Sequence, residues 1–252
     1  MDCIRDLGPP DSWAKGRTAL FLDLDGTLAE IAPRPDDVRP RPERSALLRR
    51  VGERLEGRLA VISGRTLQDV DRILEGAVPA VAAVHGLVRR RADGQLSTPP
   101  PPPGLEAVKR ACQDLARTHS GLLVEDKGIS VALHYRLAPM LGALAASEAD
   151  RLAREHGLKL QLGDMVSELR ADEGDKGTAV RAFMAEPPFQ GATPIFVGDD
   201  LTDEDGFAAV AELGGIGVLA GPMRATLATR RLDGVGAVCA WLEAGLMENA
   251  RP

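Results

Sequence analysis

The sequence is organised around TALFLDLDGTL, residues 18–28. Its apolar run, residues 19–22, predicts a short buried strand, and the Asp-Gly pair predicts a turn directly after it. In an open parallel sheet, ligands bind at the carboxyl ends of the strands, which would place Asp23 and Asp25 at that edge. Two carboxylates this close repel, so the pair indicates a bound cation or a shared proton. An ordinary turn explains a bare DxDG equally well, because Asp and Gly are common turn residues.

A second strand is predicted for LAVI, residues 59–62, and the polar residues Ser63, Gly64 and Arg65 follow it. A turn from a strand into a helix offers a hydroxyl and free backbone N–H groups to an anion. Ser is also a common helix cap, and without other information the cap is the better explanation of Ser63.

A later strand, PIFV at residues 194–197, ends in an acidic loop that contains Asp199 and Asp203. The helix dipole favours acidic residues in a first turn, which explains residues 203–205 better than it explains Asp199 at the strand tip. Lys176 precedes a helix predicted for residues 178–185, where a cation opposes the dipole. A purely structural role for this lysine is therefore disfavoured.

Composition narrows the class of protein. The 252 residues, 44% of them hydrophobic, suffice for one large domain or two modest ones. A net charge of −6 argues against nucleic acid as the main partner, and 3% aromatic residues leave few stacking platforms. We find no signal peptide and no apolar stretch near the ~20 residues of a membrane span. Three widely spaced cysteines indicate a reducing compartment, so we expect a cytoplasmic enzyme, with a monomer favoured.

Five consecutive prolines, residues 99–103, form the clearest linker in the sequence. We place a domain boundary there. The pattern beyond it predicts an α-ββ-α-ββ unit over residues 103–170, which interrupts a core made of residues 1–102 and 171–252. Its predicted elements are helices at 105–119 and 138–156 and strands at 122–125, 129–135, 159–162 and 165–169. A hairpin with its turn at Asp93-Gly94 precedes the linker, and final strands are predicted at 216–219 and 227–231.

DLDGT, residues 23–27, resembles the first motif of the haloacid dehalogenase-like phosphatases at every position. That family also has a Ser or Thr after a second strand, a Lys that opens a later helix, and a GDxxxD loop after another strand. Ser63, Lys176 and residues 198–203 match these motifs in the family's order. The resemblance implies an α/β fold, a Rossmann-like parallel-sheet core with an inserted α+β cap domain.

Within that superfamily the sequence is similar to the trehalose-6-phosphate phosphatases. GDDLTDEDGF at residues 198–207 resembles their fourth motif, and VEDKGISVALHYR at 124–136 resembles their cap signature. The pattern ELR followed by KG, at residues 168–177, also fits. One departure lies at residues 83–86, where many relatives carry Glu before the His-Gly pair. The resemblance covers roughly residues 18–246 and implies Mg²⁺-dependent hydrolysis of trehalose 6-phosphate to trehalose and phosphate.

The same resemblance implies a role for each candidate residue. Asp23 is the nucleophile that forms an aspartyl-phosphate, and Asp25 is the acid that protonates the sugar oxygen and then the base that activates water. Mg²⁺ would be held by Asp23, the backbone carbonyl of Asp25 and Asp199. The remaining implied roles are phosphate binding by Thr27, Ser63, Gly64 and Lys176; sugar binding by Arg65, Glu125, Lys127 and Glu168; and support by Asp200, Asp203 and His85.

Several alternatives stay open at this point. Arg65 would otherwise be solvated, a lone histidine such as His85 is more often structural, and the three charged cap residues would otherwise form a surface ion-pair cluster. The substrate would otherwise be sucrose phosphate or a hexose phosphate, or the reaction a phosphomannomutase-like transfer. An inactive regulatory module of a trehalose-synthesis complex is a remote alternative, since no core motif residue is lost. A non-enzymatic sugar-binding domain would have no need of DLDGT.

Overall fold

The computed structural model describes residues 11, 18–171 and 174–247. These residues form two compact units. The first unit contains the described residues up to Ala32, then Val38–Ser97, and then the described residues from Gly174 onward, whereas the second contains Pro33–Asp37 and the described residues of 98–173. The chain leaves the first unit after Ser97 and has re-entered it by Gly174; the sequence prediction set these points after residues 102 and 170.

The strands of the described residues, in chain order, are β1 (Thr18–Leu22), β2 (Leu59–Ile62), β3 (Ala80–Ala83), β4 (Val88–Arg90), β5 (Leu96–Ser97), β6 (Leu123–Asp126), β7 (Ser130–His134), β8 (Lys159–Gly163), β9 (Val166–Arg170), β10 (Thr193–Gly198), β11 (Ile216–Ala220) and β12 (Arg230–Leu232). The helices are α1 (Pro42–Arg54), α2 (Leu67–Leu74), α3 (Leu105–Thr118), α4 (Gly142–His156), α5 (Lys176–Met184), α6 (Glu204–Glu212) and α7 (Val235–Met247).

The first unit is built on one sheet with the strand order β12-β11-β10-β1-β2-β3-β4-β5. The strands from β12 to β3 run parallel, and β4 and β5 add an antiparallel edge. β1 lies inside the sheet and all five of its residues are buried. A parallel sheet covered on both faces requires such a continuous apolar strand. The ends of β1 and β10 therefore meet at one edge, with Leu22 paired to Val197.

Phenylalanine supplies the centre of this unit's core. All five phenylalanines of the sequence are fully buried, at residues 21, 183, 189, 196 and 207. The rings of Phe21 and Phe189 are stacked with centroids 5.4 Å apart, and Phe196 meets Phe207 edge to face at 5.7 Å. Truncating one such ring to Ala costs about 3–5 kcal/mol. These rings hold β1 and β10 against α5 and α6, the elements that carry the candidate site.

The second unit is an α+β layer with its own core. Its antiparallel sheet has the order β6-β7-β9-β8, and α3 and α4 cover one face. Val131 and Leu169 point to that face and pack with Val108 and Leu152 of the helices. Because strand side chains alternate between faces, Glu125, Ser130 and Glu168 lie on the opposite face. The predicted order of elements in this unit is confirmed.

Two predicted elements begin three or four residues before the starts that the structure has. The last strand is Arg230–Leu232 instead of residues 227–231. The Leu227 N–H donates to the Glu204 side chain at 2.7 Å, so it is not available for strand pairing. The helix predicted from residue 138 begins only at Gly142, after a separate 3-10 turn at Pro139–Leu141. Among the described residues, no helix combines the length and apolar character that crossing a membrane requires.

Candidate active site

Three carboxylates converge where β1 and β10 end. The Asp23 N–H donates to the carbonyl of Val197 at 2.9 Å, which extends the pairing of the two strands to the first aspartate of the motif. Asp199 follows directly on β10. One carboxylate oxygen from each of Asp23, Asp199 and Asp203 lies within 4.8 Å of the others. Oxygen ligands at this spacing are a donor set for a hard divalent cation.

Lys176 joins two of these carboxylates. It is the first residue of α5, and the Asp175 side chain caps that helix by accepting from the Thr178 N–H. Its Nζ lies 2.9 Å from Asp23 Oδ1 and 2.6 Å from Asp203 Oδ1, and its side chain is 2% exposed. Burial alone would lower the pKa of Lys176, but the charges of Asp203 and Asp23 outweigh it and raise the pKa. The lysine is therefore a fixed positive charge beside Asp23.

One lysine does not balance the negative charge gathered here. Burial raises the pKa of Asp23 well above its usual value, and Lys176 only partly opposes this. Burial, followed by the charge of Asp203, raises the pKa of Asp199 to about 7. A carboxylate that holds its proton near neutral pH gains most from a bound cation. The site therefore fits a divalent metal ion.

Asp203 stabilises the acidic loop through both of its oxygens. Oδ1 accepts from Lys176, and Oδ2 accepts from the N–H groups of Asp199 and Asp200, each at 2.9 Å. With both oxygens engaged, Asp203 is better suited to fixing the loop than to ligating a metal. The Asp200 carboxylate caps the short turn that follows by accepting from the Leu201 N–H.

Gly26 lies against the carboxylate of Asp199. Its φ is +76°, and a Cβ there would meet Asp199 Oδ2 at 2.0 Å. Thr27 is fully buried, and its Oγ1 lies 3.5 Å from Asp199 Oδ1. The turn after β1 thus places the backbone of Gly26 and the hydroxyl of Thr27 beside the Asp199 carboxylate.

Ser63 is not the cap of the helix that follows β2. Thr66 caps α2 by accepting from the Asp69 N–H, so the cap interpretation of Ser63 is wrong. The Ser63 Oγ accepts from the Arg65 N–H at 3.2 Å. The His85 ring lies against Gly64, where a Cβ would be 2.5 Å from Nε2. The strand-end turn thus keeps a buried hydroxyl without using it to start a helix.

The loop after β3 is strained at this point. Val84 and His85 have φ of +48° and +56°, and such angles are unusual for any residue other than glycine. Their N–H groups donate to the carbonyls of Arg65 and Ser63 at 2.8 and 2.9 Å. The strain is offset by these bonds, which tie the loops after β2 and β3 together.

Arg65 holds the second aspartate of the motif. Its Nε and Nη2 donate to the two carboxylate oxygens of Asp25 at 2.6 and 2.8 Å. The Arg65 side chain is 10% exposed, which rules out the solvated alternative. Asp25 therefore turns its carboxylate toward Arg65, while Asp23 turns toward Lys176.

In the second unit, Glu168 collects two donors on the polar face of the sheet. Lys127 Nζ donates to Oε2 at 2.6 Å and Ser130 Oγ donates to Oε1 at 2.7 Å. The side chains of Lys127 and Glu168 are 6% and 3% exposed, so this pair is not a surface ion pair. Glu125 lies on the same face and accepts from His134 Nε2 at 2.8 Å. Burial would raise the pKa of Glu125, but His134 and Lys127 outweigh it and lower the pKa.

A family model described as trehalose-phosphatase matches residues 21–235 of the sequence. The chain belongs to the trehalose-phosphatase family. The resemblance inferred from the motifs is confirmed, and so is the α/β fold class with an inserted α+β unit.

Two relatives of this trehalose-phosphatase family member are similar over most of their length. A trehalose-6-phosphate phosphatase of Escherichia coli is 40% identical over 227 residues, which cover 89% of this chain and 85% of the relative. A probable trehalose-phosphate phosphatase of Sinorhizobium fredii is 38% identical over 214 residues, covering 84% and 79%. The structure of the C-terminal domain of a Candida albicans trehalose-6-phosphate phosphatase shares the fold, with a TM-score of 0.80, 22% identity, and coverage of 91% and 92%.

Sequence reasoning missed several residues that support the candidate residues of each unit. Arg224 reaches the acidic loop from the segment after β11, and Glu204 pairs with it. Ser130 and His134 support the two glutamates of the second unit. Ser130 and His134 lie within the cap signature, on the same face of β7 as Ala132, which pairs with Glu168. The alternation of side chains along β7 could therefore have indicated both residues. Nothing in the local sequence marked Arg224.

Proposed function

We propose that this chain hydrolyses trehalose 6-phosphate to trehalose and phosphate, with Mg²⁺, through an aspartyl-phosphate intermediate. The observation that carries the proposal is the buried group at the ends of β1 and β10, where Asp23 lies between Lys176 and Asp199. A carboxylate in that position has a cation 2.9 Å away and another candidate metal ligand within 4.8 Å. The identity of relatives named for this substrate supports the choice of sugar phosphate.

Asp23 is the nucleophile in this proposal. One of its oxygens attacks phosphorus, forming the acyl-phosphate bond while the bond from phosphorus to the sugar oxygen breaks. Lys176, with Thr27, Ser63 and the backbone at Gly64, binds the phosphoryl oxygens. The positive charge of Lys176 balances part of the charge that Asp23 and phosphate bring together.

Asp25 is the acid and then the base. It donates a proton to the leaving sugar oxygen, and afterwards takes a proton from the water that attacks phosphorus and releases Asp23. Arg65 donates to both oxygens of Asp25 in this structure, so at least one of these bonds must open before a proton is transferred. Arg65 would then contact the substrate, the role that the family resemblance implies for it.

The residues that would hold Mg²⁺ are Asp23, Asp199 and the backbone carbonyl of Asp25. Bound there, Mg²⁺ supplies charge that offsets the repulsion between carboxylate and phosphate. Asp203 and Asp200 fix the loop that presents Asp199, and His85 fixes the turn at Gly64.

The polar face of the second unit's sheet would bind the sugar. Glu125, Lys127 and Glu168 offer charged acceptors and a donor, and sugar hydroxyls pair well with both. His134 and Ser130 hold the two glutamates in place. We also infer a reducing cytoplasm, supported by the free thiols of Cys112 and Cys239 among the described residues, and we propose a monomer.

Phosphate release measured across a panel of substrates tests the proposal. The panel contains trehalose 6-phosphate, sucrose 6-phosphate, glucose 6-phosphate, mannose 6-phosphate and p-nitrophenyl phosphate, each with Mg²⁺ and with EDTA. We expect trehalose 6-phosphate to give the highest kcat/KM, EDTA to abolish turnover, and Asp23→Asn to be inactive. A higher kcat/KM for another sugar phosphate would contradict trehalose 6-phosphate as the substrate. Phosphate release by Asp23→Asn at the wild-type rate would contradict Asp23 as the nucleophile.

A further inference from the structure

We propose that Arg224 is a positioning residue for the metal site, acting through the backbone of the loop that carries Asp199. Arg224 lies in the segment between β11 and β12, and β11 is the sheet neighbour of β10. The segment after β11 therefore runs beside the acidic loop. The inference rests on the proposed function only in taking Mg²⁺ as the ion.

The guanidinium of Arg224 binds the acidic loop through its carbonyl groups. Nε donates to the Asp199 carbonyl at 3.1 Å, and Nη2 donates to the Asp200 carbonyl at 2.6 Å. A planar guanidinium presents such donors in a fixed fork, which a lysine ammonium cannot reproduce. Two consecutive carbonyl groups are thereby held in one direction.

Asp203 holds the same two residues by their opposite groups. Its Oδ2 accepts from the N–H of Asp199 and from the N–H of Asp200. The backbone of Asp199 and Asp200 is therefore bonded at every polar group, with acceptors supplied by Asp203 and donors by Arg224. A loop fixed in this way fixes the direction of the Asp199 side chain, which is the metal donor. Asp203 belongs to the sequence motif of the acidic loop, and Arg224 lies outside it.

Glu204 completes the arrangement. Its Oε1 pairs with Arg224 Nη1, and its Oε2 accepts from the Leu227 N–H at 2.7 Å. Arg224 Nη1 also donates to the Ala225 carbonyl at 2.9 Å. An unpaired cation this close to Asp199 would repel a divalent metal ion, and the carboxylate of Glu204 offsets that charge. The pair thus orients the loop without adding net charge beside the metal.

Titration of Mg²⁺ into the metal-free chain, by calorimetry and without substrate, tests the inference. We expect Arg224→Gln to raise the Mg²⁺ Kd by at least ~10-fold, the effect of losing a group that orients a metal ligand. Arg224→Lys and Glu204→Gln are expected to raise it less, by a few-fold. Arg181→Gln is the matched control, since Arg181 pairs with Glu212 at 2.7 Å between α5 and α6 with both side chains exposed. That variant should leave the Kd within about twofold.

The thermal midpoint of each metal-free variant separates positioning from stability. A purely structural Arg224 would lower the midpoint and leave the Kd of the folded chain unchanged. A Kd for Arg224→Gln within twofold of wild type overturns the inference, and so does tighter binding, which would mean that the guanidinium chiefly repels the ion. If Arg224→Gln does not fold, unchanged Kd values for both Arg224→Lys and Glu204→Gln overturn it. If the wild-type chain hydrolyses trehalose 6-phosphate and the Arg224 and Glu204 variants keep the wild-type Mg²⁺ Kd, only this inference is contradicted. If the wild-type chain binds no Mg²⁺, both proposals are contradicted.

Discussion

Gly26 lies so close to Asp199 that one methyl group decides whether the carboxylate keeps its position. The backbone at Gly26 is left-handed and a Cβ would lie 2.0 Å from Asp199 Oδ2. The close approach lets Asp23 and Asp199 face the same point in space. Glycine is needed here both for its φ and for its missing side chain.

We therefore expect Gly26→Ala to lose Mg²⁺ binding and activity by at least ~100-fold, because Asp199 must move to admit the methyl group. Gly94→Ala is the control. Its φ is +86° and a Cβ there would meet nothing within 4 Å, so it pays only the backbone strain of about 1–2 kcal/mol. Calorimetric Mg²⁺ titration and thermal unfolding of both variants check this. Wild-type Mg²⁺ affinity in a folded Gly26→Ala chain would contradict it.

The raised pKa of Asp199 would make the proposed metal binding depend on pH. In the metal-free fold this pKa is raised from 3.8 to about 7. Because the pKa of Asp199 is higher in the fold than in the unfolded chain, its proton stabilises the fold. This contribution to the free energy of unfolding is fully present below the pKa of the unfolded chain and is lost as pH rises through about 7. If Asp199 ligates Mg²⁺ as proposed, it does so as a carboxylate, so binding below pH 7 must displace a proton.

We accordingly expect the Mg²⁺ Kd to fall as pH rises from 5.5 toward about 7 and then to level off. Calorimetry in two buffers of different ionisation enthalpy should detect release of a proton at pH 6 and little release at pH 8. The pKa of Asp23 is raised too, so release by more than one group agrees with the structure. A Kd that does not change across this range would show that neither carboxyl is protonated in the metal-free protein.

At the scale of elements, the sequence predicts features that depend on local patterns better than it predicts contacts between distant segments. The end of β1 could be predicted because a short apolar run before Asp-Gly is a local signal. The helix predicted at residues 178–185 begins two residues earlier, at Lys176 itself. The pairing of Arg65 with Asp25 spans 40 residues, and that of Arg224 with Asp199 spans 25. Such contacts depend on which strands become neighbours, which the sequence of either segment alone does not state.

The strand β7 shows the same division within the second unit. The alternation of side chains along β7 predicts that Ser130 shares a face with Ala132 and His134. Ala132 pairs with Glu168 of β9, so Glu168 lies on that face too. The burial of Lys127 and Glu168 was not predicted, because the number of side chains that cover a charged pair is a property of the assembled unit. Burial changes the expected energetics, since breaking a buried pair costs several-fold more than breaking an exposed one.

If these residues bind the sugar, Lys127→Ala and Glu168→Ala should each lower kcat/KM for trehalose 6-phosphate by at least ~10-fold, the effect of one lost charged hydrogen bond. Turnover of p-nitrophenyl phosphate should stay within a few-fold, because this ester lacks the hydroxyls that they would bind. Lys109→Ala is a matched control, since Lys109 pairs with Asp126 at 2.8 Å in the same unit. Equal losses on both substrates would mean that the pair supports the fold, and no loss on either would remove it from the site.

At the scale of the whole molecule, each unit has its own hydrophobic core. The first is centred on the five phenylalanines, and the second on aliphatic residues of β7, β9, α3 and α4. Every candidate metal donor lies in the first unit, whereas the charged residues of the sheet's polar face lie in the second. Separate cores predict that the two units open separately in hydrogen exchange.

Mg²⁺ alone should therefore slow amide exchange in the first unit and leave the second unchanged. The expected protection covers β1, β10 and the acidic loop at residues 199–203, because a ligand stabilises the state to which it binds. β7 and β9 should respond only when a sugar phosphate is added, which can be measured without turnover in Asp23→Asn. Asp199→Asn is the control, and it should show no Mg²⁺-dependent protection in either unit. Equal protection of β1 and β7 by Mg²⁺ alone would show that the units open together, and that metal binding stabilises the polar face of the second unit's sheet as strongly as the acidic cluster of the first.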